Sequence, residues 1–245
     1  MTPSRAWQDL LSALGLLSRL PLPSHNGRGA EAAWAYPVAG AVLGILAAVA
    51  GLIALGLGLA ASGAALIALT ASVLLTGALH EDGLADTADG LWGSHQRERR
   101  LEIMKDSRTG AYGVIALVLS LLARWIGLSA LFSVEGSWLA VVGVAALSRA
   151  TMPMMMAFMP HARANGLSRA VGKATAHSAG LAALIGVVFA CLCLGWSAIG
   201  AILITAVATL IIAWIATAKL GGQTGDILGA TQQIAEIGIL FALTP

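Results

Sequence analysis

The densest chemistry in this 245-residue chain lies between His80 and Gly113, a stretch that holds more than half of its acidic side chains. Asp82, Asp86 and Asp89 fall at i, i+4 and i+7, so a helix would bring all three carboxylates to one face. Like charges that close repel each other unless the face is a solvated acidic turn or a cation sits among them. Oxygen donors suit a hard cation: Mg²⁺ takes one or two carboxylates and completes its shell with water and substrate phosphate. Such an ion neutralises the charge that develops in phosphoryl transfer and orients an attacking hydroxyl. His80, just ahead of the aspartates, is either a proton acceptor or a polar helix-end residue.

Cations follow the acids. Arg99, Arg100, Lys105 and Arg108 lie on what the periodicity of Leu101 and Met104 marks as an amphipathic helix. An acidic cage with a basic rim suits a metal-bound diphosphate. Arg99, Lys105, Asp106 and Arg108 are therefore candidate substrate contacts, although local ion pairs such as Glu102 with Lys105 account for part of the pattern. A glycine-rich turn, Lys219 to Asp226, offers free backbone amides together with Lys219, Thr224 and Asp226 at the start of a helix. The loop from Pro160 to Leu167 adds Arg163 and Gly166. Arg124, Arg149 and Glu236 fall near the middles of apolar runs, where an unpaired charge costs at least ~2.5 kcal/mol. They either pair with each other or face substrate.

These side chains need a scaffold, and composition says what kind. With 58% hydrophobic and 11% charged residues and a mean hydropathy of +0.85, the chain is too apolar for a water-soluble domain of its length. Nothing points to nucleic acid, and Cys191 and Cys193 read as small apolar side chains. Apolar runs at 34–59, 61–79, 113–134, 138–159, 178–196, 198–218 and 227–244 are long enough to cross hydrocarbon as helices. The expected fold is all-α, a polytopic transmembrane helix bundle of about seven spans in one domain, 1–245. An amphipathic helix lying on the membrane surface, within 1–30, precedes it. Lys and Arg fall in alternate connections only, which predicts a cytoplasmic N-terminus, cytoplasmic charged loops including the catalytic loop 80–112, and an external C-terminus.

Four ordered blocks then resemble one family over nearly the whole chain: RLPLP at Arg19; HEDGLADTADG at His80 with RRLEIMKDSRTGAYG after it; Pro160 with Ala162-Arg163 and Gly166-Leu167; and GGQTGDILGA at Gly221. The chain is similar to the cobalamin synthases, the adenosylcobinamide-GDP ribazoletransferases of the cytoplasmic (inner) membrane. The resemblance implies an Mg²⁺-dependent transferase that joins α-ribazole or its 5′-phosphate to adenosylcobinamide-GDP and releases GMP. It makes Asp82, Asp86 and Asp89 metal ligands, sets Lys105, Asp106 and Arg108 beside the phosphates, and completes the pocket with Arg163, Thr224 and Asp226. Membrane lipid is a further partner; association with other enzymes of the pathway and a homo-oligomer stay open. CDP-alcohol phosphotransferases and membrane prenyltransferases also use spaced aspartates, but their spacing fits poorly here. A cation transporter would be expected to carry an internal repeat, and none is visible.

Overall fold

The computed structural model describes residues 4–244. Among them the secondary structure is helical, apart from one isolated bridge between His161 and Gln223. The helices are α1 (Arg5–Leu17), α2 (Tyr36–Gly56), α3 (Ala61–Thr76), α4 (Leu79–Gly93), α5 (Arg97–Ile103), α6 (Ala111–Phe132), α7 (Trp138–Arg149), α8 (Thr151–Phe158), α9 (Leu167–Val171), α10 (Ala176–Leu194), α11 (Ala198–Leu220) and α12 (Gly225–Leu243). A 3-10 segment, Gly29–Ala35, leads into α2.

Five helical runs are individually long and apolar enough to span a membrane, and α3 with α4 make a sixth if that bent pair is one span. One of the five is the 45-residue run Ala176–Leu220. It doubles back at the 3-10 turn Gly195–Ser197, so that Ala183 and Val187 of α10 face Ile202 and Ala206 of α11 across a shared crevice. Counted as two, this hairpin brings the spans into line with the seven expected. The outward faces carry Leu57, Leu192, Leu210, Trp196 and Trp214, each at least 70% exposed. So much bare apolar surface is stable against lipid and not against water.

Two apolar layers build the interior. One joins Leu14 and Leu17 of α1, Met152, Met155 and Met156 of α8, and Ile227 and Leu228 of α12. The other joins Leu128 and Phe132 of α6, Val141 and Val144 of α7, and Ile239 and Leu240 of α12. Between them α12 presents Gln232, Gln233 and Glu236, all buried. The amphipathic α1 lays Leu11, Leu14 and Leu17 on the bundle itself while Trp7 is half exposed. The expected catalytic loop 80–112 is mostly helix, α4 and α5 with short connections.

A candidate phosphoryl-transfer site on a carboxylate ridge

The placement of α4 starts with a break. Gly77 and Ala78 both adopt left-handed backbone, φ +63° and +57°, and α4 leaves at 85° to α3. For alanine that conformation costs ~1–2 kcal/mol; the tight packing of α4 against α12 and α6 offsets it. Gly83 marks the crossing with α12, because a Cβ there would press on the backbone of Asp226. The close approach sets Asp226 against the aspartate face of α4. The Asp86 carboxylate feels the like charges of Asp82, Asp226 and Asp89, with Arg163 as the opposing charge.

Asp89 is held from the other side. Its carboxylate accepts the Gly110 amide at 2.6 Å and the Gly113 amide at 2.9 Å. These are free amides at the start of α6, where a helix N-terminus favours an anion. Each Asp89 oxygen keeps a lone pair.

Asp226 is organised by two turns that form one polar unit. Arg163 Nη2 donates to Asp226 Oδ2 at 3.0 Å. Thr224 donates to the same oxygen at 3.2 Å and caps α12 by accepting the Ile227 amide. The Ala162 amide donates to Gln223 O and the Gln223 amide to Pro160 O, at 2.9 and 2.8 Å. Ser168 Oγ donates to Gln223 Oε1 at 2.6 Å, and Gln223 Nε2 lies 2.9 Å from His161 Nδ1. Burial, reinforced by the charges of Arg169 and Lys173, pushes the His161 pKa below its ordinary value. The neutral ring is thus the acceptor for Gln223. Gly166 lies against the Arg163 guanidinium.

The ridge of α4 separates two cavities. One, of about 250 Å³, is walled by Tyr36, Met152, Met156 and Leu228, with His80, Asp82, Arg163 and Asp226 also lining it. The other, about 470 Å³ and more open, is lined by Asp89, Arg99, Asp106, Arg108, Thr109 and Tyr112. Among the basic-rim candidates, Arg108 forks onto Asp106 at 2.7 Å and holds that carboxyl down at about 2. Arg99 pairs with Glu102 at 2.9 Å. Lys105 is exposed. Lys219 sits 5.5 Å above the Trp92 ring. Arg97 and Arg100, unremarkable by type, donate to the Leu220 and Lys219 carbonyls at 2.7 and 3.2 Å and so complete the end of α11.

Arg149 and Glu236 lie apart from the ridge, between the apolar layers. The pairing weighed from sequence, Arg149 with Glu236, is not formed. Arg124 takes Glu236 at 2.9 Å and Glu81 at 2.6 Å, while Arg149 donates to the Ala145 carbonyl of its own helix. Gln233 and Ser120 join the same network. Glu81 had no sequence signal beyond its place beside Asp82; it faces the opposite way from the aspartates.

Among the described residues, no three histidine, cysteine or carboxylate side chains converge closely enough to hold a cation alone. The donors nonetheless fit Mg²⁺, which needs only one or two carboxylates once phosphate and water supply the rest.

The chain matches the model of the cobalamin-5-phosphate synthase family across residues 9–244. It is 45% identical over 241 residues to the adenosylcobinamide-GDP ribazoletransferase of Bradyrhizobium diazoefficiens, covering 95% of this chain and 92% of the relative. It is 41% identical to that of Mesorhizobium japonicum, over 98% and 94% of the two chains. To that of Azorhizobium caulinodans it is 43% identical, over 99% and 97%. No solved structure matches. With the family's model covering nearly every residue, and both the aspartate ridge and the Arg163–Asp226 turns inside the match, the chain belongs to the cobalamin-5-phosphate synthase family.

Proposed function

We propose that this chain transfers the corrinoid phosphoryl group of adenosylcobinamide-GDP to the 5′-hydroxyl of α-ribazole or its 5′-phosphate and releases GMP. The observation that carries the reading is the surplus of carboxylate around Asp86: Asp82, Asp226 and Asp89 bring like charge to it, and Arg163, already paired with Asp226, is the charge that opposes them. Surplus negative charge of this kind is retained where a cation and a phosphate complete the site.

Asp86 with one neighbour among Asp82, Asp89 and Asp226 would hold Mg²⁺, phosphate and water completing its shell. When bound, the ion supplies neutralisation of diphosphate charge and a template for in-line displacement. The protein's own groups do the rest. The ribose hydroxyl oxygen bonds to the corrinoid-side phosphorus, the bond from that phosphorus to the bridging oxygen breaks, and GMP departs with that oxygen. Asp82 or His80, both on the cavity wall, accepts the hydroxyl proton. Arg163, held against Asp226, supplies positive charge beside the ridge, and Arg108 lines the cavity that would take the guanylate side of the donor. Following the distribution of Lys and Arg, the ridge opens to the cytoplasm across the cytoplasmic membrane.

The test is GMP release by purified, detergent-solubilised protein given adenosylcobinamide-GDP and α-ribazole, with and without Mg²⁺. Release that requires both substrates and the metal is expected. Intact protein that releases no GMP under these conditions would refute the reading.

A further inference from the structure

We infer that the cavity on the Asp82 side of the ridge seats the aromatic base of the acceptor nucleoside, so that acceptor and departing GMP occupy opposite sides of α4. This rests on the transferase reading above. The cavity's size comes first. At about 250 Å³ it lies below the ~300–1,000 Å³ of pockets that enclose a whole drug-sized ligand, so it suits one bicyclic ring and not a nucleotide or a corrinoid.

Its walls argue next. Tyr36, Met152, Met156 and Leu228 give apolar and polarisable surface for a flat ring. Yet three lining residues carry buried polar atoms without a partner: Tyr36 Oη, His80 Nε2 and Arg163 Nη1. Tyr36 and His80 are each 2% exposed. A lipid chain in this space would leave all three unpaired, at ~1–3 kcal/mol each. A heteroaromatic ring with nitrogen and a ribose oxygen behind it can satisfy them. The third argument is position. Asp82 and Asp226 stand at the cavity wall, so a nucleoside with its base inside presents its hydroxyl to the ridge. Asp82 and Asp89 are seven helical residues apart, roughly 10 Å. Asp86 is midway, and the arginine-rimmed cleft begins beyond Asp89. In-line displacement needs nucleophile and leaving group on opposite sides of phosphorus, and the two cavities provide that.

The experiment is steady-state GMP release with full-length wild type and three variants, varying each substrate in turn, using nucleosides that carry 5,6-dimethylbenzimidazole or unsubstituted benzimidazole. Met156→Phe should raise KM for the dimethylated nucleoside about tenfold by overfilling the cavity. The rise should be smaller for the unsubstituted one, with KM for adenosylcobinamide-GDP unchanged. Tyr36→Phe, which removes only a hydroxyl, should raise acceptor KM alone and serves if Met156→Phe misfolds. Arg108→Ala should do the converse and raise donor KM alone. An acceptor KM that ignores Met156→Phe and Tyr36→Phe, or parallel changes in both substrates' KM, would overturn the assignment. A wild type that releases no GMP would instead overturn the transferase reading itself.

Discussion

Two charged clusters share this bundle and are built on opposite rules. In the interior belt Arg124 pairs with both Glu81 and Glu236, Arg149 lies buried beside them as a second cation, and Gln232, Gln233, Ser120 and Ser148 join the network. On the ridge, Asp86 is crowded by the like charges of Asp82, Asp226 and Asp89, with Arg163 opposing them. Balanced charge deep in an apolar bundle fixes how helices meet. Unbalanced charge beside cavities disfavours the empty protein, and under the proposed reaction a cation and a phosphate would relieve it.

The contrast can be broken by exchanging one group in each cluster. Asp86→Asn should lower GMP release by about a thousandfold or more, as expected when a metal site is lost, while the melting temperature holds or rises because a like-charge repulsion is removed. A near-normal rate would end the metal-ligand assignment. Arg124→Ala should act the other way, destabilising by roughly 3–5 kcal/mol because two buried carboxylates lose their partner. Low yield and an early thermal transition are the readouts, and a wild-type melting curve would show that the belt is not the structural cluster.

The remaining tests sharpen the comparison at the ridge's supports. His161 has its folded pKa below the unfolded value of about 6.5. Its contribution is therefore complete above that value and is lost as pH falls through 6.5 toward the lower folded pKa, when the ring protonates and no longer accepts from Gln223. Melting temperature should decline on acidification across that window, and less so in His161→Asn. The smallest effect is Ala78→Gly, which relieves left-handed alanine at the α3–α4 break. It should stabilise by up to about 1 kcal/mol and leave GMP release unaltered; a loss of stability would mean the break is not strained.

Much of this was legible one residue at a time. The seven apolar runs announce themselves because lipid demands backbone hydrogen bonds within each segment, and the aspartates' spacing foretold one helical face. The Arg163 and Asp226 turns were readable as candidates but not as one unit. The bridge that joins them links His161 to Gln223, far apart in sequence. Arg149 and Glu236 were readable as buried charges that need partners. Which partner each would take was not, because Arg124 competes for the same carboxylate from another helix. Arg100 looked like the rest of the basic rim, yet with Arg97 it closes the end of α11, a role that exists only once α5 has docked there.

Sequence alone determined the solvent, the helical character, the family and the acidic ridge, since each depends on local composition, spacing or motif. Tertiary structure decided that Glu81 turns inward while Asp82 turns to a cavity, that Asp226 from the far end of the chain faces the ridge, and that the ridge has two sides. Those facts depend on how α4 leaves the Gly77–Ala78 break and wedges between α6 and α12, and long-range packing of that kind leaves no periodic trace along the chain.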